Sequence, residues 1–171
     1  MEIRTLRTED DRTSFRSGDA DLDRFLEKYA GQNQFRHHLG VTYVAADGSR
    51  VAGYATVSAG DIEIERLPAA VTKKLPRYPL PVLRLARLAV DVEYRGLGLG
   101  QQLLKCVFQL AVRMSGKVGC IGVVVDAKAG AVAFYERFGF MRLQVLEGAA
   151  APYASTVSMF LPLADIAEAL R

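Results

Sequence analysis

The chain has 171 residues, a mass of 18.7 kDa and a formal net charge of +3, a size that fits one domain over residues 1–171 with its own buried core. Half of the residues are apolar and 24% are charged, but no segment reaches the roughly 18 consecutive apolar residues that a membrane span needs. The amino end, MEIRTLRTEDD, has no apolar stretch behind its charges, so a secretory signal is not expected and the cytoplasm is the expected compartment.

In chain order, EIRTLR alternates apolar and polar residues and predicts a first strand. Leu22, Phe25, Leu26 and Tyr29 then fall at helical spacing, with Asp19 or Ser17 available as a cap, which predicts a helix from about Asp19 to Phe35. GVTYVAADGSRVAGYATVSAG holds two β-branched and aromatic runs around a DGS turn and predicts a hairpin. RLPAAVTKKLPRYPLP carries four prolines. It predicts a short helix or turn before an extended entry, because residues preceding proline avoid the α region.

VLRLARLAVDV reads as a central strand. Strict alternation would put Arg84 and Arg87 on opposite faces, so a bulge between them is expected if both serve one site. Gly98 to about Met114 carries a broad apolar helical stripe. CIGVVVD predicts a short buried strand whose Asp126 would cap the next helix, and AGAVAFYERFGF carries that helix to a terminating Gly139. FMRLQV and STVSMFLPL predict two further strands before a short tail helix.

The two cysteines, Cys106 and Cys120, sit in apolar patterns and read as buried thiols, while the adjacent His37 and His38 read as surface residues. No metal site is expected. Charge is uneven along the chain: Arg66, Lys73, Lys74, Arg77, Arg84 and Arg87 fall between Arg66 and Val90 with no acid among them, leaving the rest of the chain net negative. Such a run is either a solvated basic loop or a surface for an anionic partner such as RNA.

The chemistry concentrates in YRGLGLGQQLL, Tyr94 to Leu104, where three alternating glycines lead into a helix. Backbone amides at a helix amino end favour an anion, with phosphate the first candidate. A dinucleotide fingerprint starting at Gly96 would need glycine where Gln101 stands and an acid near Gly116; a triphosphate loop would end in Gly-Lys-Ser/Thr, which does not follow Gly100. The segment fits the pattern Gln/Arg-x-x-Gly-x-Gly/Ala through Arg95, Gly98 and Gly100. With the preceding strand, the following helix and AVAFYERFGF about 30 residues on, the chain resembles the GCN5-related N-acetyltransferase (GNAT) superfamily over essentially its whole length.

That resemblance implies an α/β (α+β) GNAT fold: a mixed, mostly antiparallel sheet of six to seven strands flanked by helices, with a splayed parallel pair at the cofactor site. It implies acetyl-CoA as acetyl donor, its diphosphate held by the backbone of Arg95, Gly96, Leu97, Gly98, Leu99, Gly100 and Gln101. The pantetheine arm would pair with Leu88, Ala89 and Val90. The acceptor amine attacks the thioester directly, a backbone N–H stabilises the oxyanion, and Tyr135, in the position of the family's tyrosine, protonates the departing thiolate. Asp61, Glu63 and Glu65 lie where family bases sometimes do, although alternating acids on a strand edge are ordinarily its wet face.

SGDADLDRFLEKYAGQNQFRHHLGVTYVA, YPLPVLRLARLAVD and VVVDAKAGAVAFYERFGF further resemble the bacterial toxin branch, which acetylates the α-amino group of aminoacyl-tRNA. On this reading Lys73, Lys74, Arg77, Arg84 and Arg87 help to hold the acceptor stem, a ribbon-helix-helix antitoxin is the partner, and a homodimer is the expected assembly. Two alternatives remain open from the sequence: an acetyltransferase of a small amine or protein N-terminus, and a non-catalytic acetyl-CoA-binding regulator.

Overall fold

The structure is a computed structural model that describes residues 1–144 and 156–171. Seven strands form one sheet in the order β1-β2-β3-β4-β5-β7-β6. They are β1 Glu2–Thr5, β2 Val41–Asp47, β3 Arg50–Ile62, β4 Leu80–Val90, β5 Gly122–Lys128, β6 Met141–Arg142 and β7 Thr156–Pro162. The helices are α1 Ala20–Arg24, α2 Ala69–Thr72, α3 Leu99–Lys117, α4 Val132–Arg137 and α5 Leu163–Ala169. The sheet is mixed and mostly antiparallel, with β4 and β5 its parallel pair. The chain divides into two compact units, Met1–Ser58 with Leu85–Val107, and Ala59–Arg84 with Phe108–Arg171.

In the first unit β2 and β3 form the expected hairpin, closing with Asp47 opposite Arg50 around Gly48 and Ser49, and β1 adds antiparallel to β2. Its core is Leu6, Phe15, Leu26, Val44, Val51 and Tyr54, with Phe25 stacked near the Tyr54 ring. The helix expected from Asp19 begins there, and the Asp19 carboxylate accepts from the backbone N–H groups of Asp21 and Leu22. It does not continue as a regular α-helix. After Arg24 it widens into two π-type turns, Phe25–Tyr29 and Gln32–Arg36. The Tyr54 hydroxyl donates to the Leu22 carbonyl at 2.6 Å, the acceptor that an α-helix would offer to Leu26, and a side chain entering the ladder is a recognised cause of local widening.

In the second unit β7 pairs antiparallel with both β5 and β6. Ile62, Ile64, Leu80, Val82, Val124 and Phe160 make its core. The proline-rich segment forms α2 and then enters β4 at Leu80. α4 ends as expected at Gly139, whose φ of 94° suits glycine and whose N–H donates to the Glu136 carbonyl. Asp126 corrects the sequence reading. It lies inside β5, opposite Ser158, because pairing with β7 carries the strand to Lys128. α4 therefore starts without a side-chain cap. Cys120 is buried and Cys106 is half-buried; His37 and His38 are exposed. Val145 and Ser155, at the ends of the last predicted strands, lie outside the described residues.

Replacing Tyr54 with Phe removes one hydroxyl from a fully buried ring. The expected loss is about 1 kcal/mol, the net worth of one internal hydrogen bond, read as a lower urea midpoint with unchanged slope; an unchanged midpoint would separate the wide turn from this contact.

Candidate functional site

The glycine loop is fixed from below by Asp91, which ends β4 with a side chain only 1% exposed. One carboxylate oxygen accepts the backbone N–H of Glu93 at 2.9 Å and the other that of Arg16 at 3.0 Å. The Asp91 backbone N–H donates to the Ala52 carbonyl, and Val92 donates to the Arg16 carbonyl, both at 2.8 Å. Arg50 adds a charge 3.8 Å away, donates to Glu93 at 2.6 Å and lies over the Tyr94 ring, whose hydroxyl donates to Asp47. Arg95 closes the set through its guanidinium, which donates to the Ser17 carbonyl at 2.5 Å. One nitrogen of the Arg95 side chain thus ties the loop to Ser17.

Beyond Arg95 the loop turns on Gly96 and Gly98, at φ of 81° and 76°. A methyl group built on either would touch nothing within 4 Å, so the glycines answer to backbone conformation and leave the outer side of the loop clear. Leu97 is exposed and Leu99 is buried, anchoring the first turn of α3 in the core. α3 runs 19 residues with no acid in its first turn. Its hydrogen-bond ladder is under way when Gln102 donates to the Gly98 carbonyl at 3.1 Å. The amides of Leu99, Gly100 and Gln101 precede that bond, at the positive end of the helix. Their place at the helix end and the clear face of the loop fit a diphosphate. Upstream on the same unit, Leu88 and Val90 are half-buried and Ala89 is buried.

In the second unit, Tyr135 sits on α4 with 5% of its surface exposed, edge-on to Phe134 and Phe140 at ring distances of 5.2 and 5.3 Å. Burial pushes its phenol above the ordinary tyrosine range. Arg84 lies 3.5 Å from Asp126, whose carboxylate also accepts the Ser158 hydroxyl at 2.6 Å. Lys73, Lys74 and Arg77 are exposed on the segment that joins α2 to β4. Asp61, Glu63 and Glu65 are exposed and alternate with buried Ile62 and Ile64, the pattern of a wet strand edge. Arg87 belongs to the first unit, with its guanidinium 3.8 Å over the Phe25 ring. Arg84 and Arg87 therefore have different partners. Among the described residues no group of three or more His, Cys, Asp or Glu side chains is placed to hold a metal, and no helix is long and apolar enough to cross a membrane.

Sequence reasoning passed over Asp91. A signal was present, since an aspartate directly after a strand and two residues before a backbone donor is the spacing of an Asx turn, but its tie to Arg16 spans 75 positions.

A mixed sheet carrying this strand, glycine loop and helix is the architecture of an N-acetyltransferase. Residues 38–142 match the family model described as an acetyltransferase (GNAT) domain, and the chain belongs to that family. It is 36% identical over 132 residues to a tRNA-acetylating toxin of Mycobacterium tuberculosis, covering 77% of this chain and 78% of the relative. Among solved structures it is similar to AtaT complexed with acetyl-methionyl-tRNAfMet, at 25% identity and a TM-score of 0.84 over 99% of each chain. It is also similar to AtaTR bound with acetyl-CoA, at 25% identity and a TM-score of 0.80 over 99% of this chain and 98% of the other.

Asp91→Ala should lower stability by about 1–3 kcal/mol, because two part-buried backbone donors lose their acceptor. Chemical denaturation reads the loss, and Asp91→Asn, which keeps an acceptor, should recover part of it.

Proposed function

We propose that the chain transfers the acetyl group of acetyl-CoA to the α-amino group of aminoacyl-tRNA and acts as the toxin of a toxin–antitoxin pair. The observation that carries this reading is the likeness, over three quarters of the chain, to a relative named for acetylating tRNA; the clear-faced glycine loop supplies the means. The diphosphate of the donor lies against the amides of Arg95 to Gln101, and its pantetheine arm runs along Leu88, Ala89 and Val90. A single acetyltransferase domain, a cytoplasmic location, a homodimer and a ribbon-helix-helix antitoxin complete the proposal, on the strength of the family resemblance.

The reaction needs a neutral amine. An α-amino group has an ordinary pKa of about 7.7–8.0, so roughly a tenth is neutral at pH 7, and water suffices to take its proton. The nitrogen bonds to the acetyl carbon, the carbonyl electrons move to oxygen and return, and the carbon–sulfur bond breaks with its pair on sulfur. The sulfur then takes a proton. Tyr135 fits this step as a hydrogen-bond donor more than as a free acid. A phenol ordinarily titrates near 10 and a thiol near 8.5, and burial raises the Tyr135 phenol further. Its O–H stays intact across the working pH range and stabilises negative charge as it gathers on sulfur. Lys73, Lys74 and Arg77, with Arg84 aimed by Asp126, contribute positive charge for the acceptor stem.

Incubation with labelled acetyl-CoA and mixed charged tRNA should yield N-acetyl-aminoacyl-tRNA; label appearing only on small amines or peptide N-termini would replace this reading. Tyr135→Phe should lower kcat by about 100-fold, the lower range for losing one hydrogen-bond donor to developing charge, with acetyl-CoA affinity by calorimetry retained. Converting Lys73, Lys74 and Arg77 together to Ala should reduce the slope of log affinity for tRNA against log salt by about 3, and an unchanged slope would take these residues out of the RNA contact.

A further inference from the structure

The segment SGDADLD, Ser17 to Asp23, belongs to the same unit as the glycine loop and is tied to the loop's first residue. We propose that this segment is a cradle for the Arg95 side chain, and that Ser17, Gly18 and Asp23 are positioning residues that act through Arg95 to set the loop's affinity for the diphosphate of acetyl-CoA. The inference rests on the proposed placement of that diphosphate at Arg95 to Gln101 and does not depend on which amine receives the acetyl group.

The cradle starts at Asp23. Its Oδ1 accepts both the backbone N–H of Ser17, at 2.9 Å, and the Ser17 hydroxyl, at 2.6 Å. The same hydroxyl oxygen accepts the backbone N–H of Asp19 at 3.1 Å, closing the local turn that a serine makes with the residue two places on. Ser17 is buried. With its N–H and hydroxyl both held, its carbonyl has a fixed direction, and that carbonyl is the acceptor for the Arg95 guanidinium.

Gly18 supplies the room. Its φ is 92°, and a methyl group built there would stand 3.1 Å from Arg95 Nη2, so glycine serves both the turn and the close approach of the guanidinium. The backbone beside this contact is already joined, because Arg16 donates to Asp91 and accepts from Val92. The guanidinium extends that seam past the turn at Val92–Tyr94 to the residue next to Gly96, where the loop enters positive φ.

Charge separates this role from simple electrostatics. Asp23 is an anion tied to a loop that receives an anion, so on charge alone its removal would tighten acetyl-CoA. Positioning predicts the reverse. Without its acceptor Ser17 is released, the long arginine side chain regains rotamer freedom, and the arriving donor has to order loop and side chain together.

The test titrates native and variant proteins with acetyl-CoA by calorimetry and with acetyl-pantetheine, which lacks the diphosphate, by NMR shifts. Asp23→Ala and Gly18→Ala should each weaken acetyl-CoA about tenfold, the scale of one net hydrogen bond, and leave acetyl-pantetheine unchanged. Asp23→Asn keeps an oxygen for both Ser17 donors and should bind acetyl-CoA as the native protein does. Asp23→Ala combined with Arg95→Ala should bind no more weakly than Arg95→Ala alone, because both changes cut one chain of contacts. Unchanged or tighter acetyl-CoA binding by Asp23→Ala, equal weakening of both ligands, or losses that add in the double variant would overturn the inference and leave the acetyl-transfer reading in place. Native protein that does not bind acetyl-CoA would overturn the placement of the diphosphate, and this inference with it.

Discussion

The glycine loop depends on one buried carboxylate. Gly96 and Gly98 are there because the chain must turn through positive φ, but positive φ alone would leave a floppy connection. Asp91 prevents that by drawing backbone donors from Arg16 and Glu93 onto its two oxygens, while the Arg50, Glu93, Tyr94 and Asp47 side chains lace the following turn to the end of the β2–β3 hairpin. Arg95 adds the last tie, to Ser17. The loop's amides are therefore preorganised, and an anion meeting them does not also have to order the chain. Preorganisation of this kind is where backbone anion sites gain their affinity.

Elements set by short-range pattern were legible in the sequence. The hairpin, β4, α3 and α4 follow from alternation, helical spacing and turn residues within a few positions of one another, and Asp19 caps its helix as its neighbours require. What escaped reading depends on partners far along the chain. β5 continues past Asp126 because β7 lies beside it, so a residue with the local features of a cap became a strand residue holding Arg84 and Ser158. The wide turns after α1 follow the Leu22 carbonyl that accepts from the Tyr54 hydroxyl, 32 positions away. The glycine loop was readable since φ and spacing announce it; the carboxylate that steadies it was not.

The basic run illustrates the same divide. In sequence Arg66 to Arg87 reads as one patch, yet folding sorts it by environment. Arg66 donates to the Gln144 carbonyl. Lys73, Lys74 and Arg77 face solvent. Arg84 meets a carboxylate and Arg87 meets an aromatic ring. These settings give one kind of charge different uses. An exposed lysine attracts any polyanion and is screened by salt, a paired arginine is oriented at the cost of part of its charge, and a ring-stacked arginine keeps its charge but surrenders its freedom.

That sorting bears on how a protein of modest net charge handles a polyanionic acceptor. A net charge of +3 draws RNA weakly at long range, so affinity has to come from a few local cations, and selectivity from somewhere other than the phosphates, which are alike in every tRNA. Arg84 beside Asp126 and the half-buried Arg87 over the Phe25 ring are two such local cations, each held in a fixed place. Where there is less water a charge acts more strongly than it does at the surface, so the setting of each cation weighs more in binding than the net charge does.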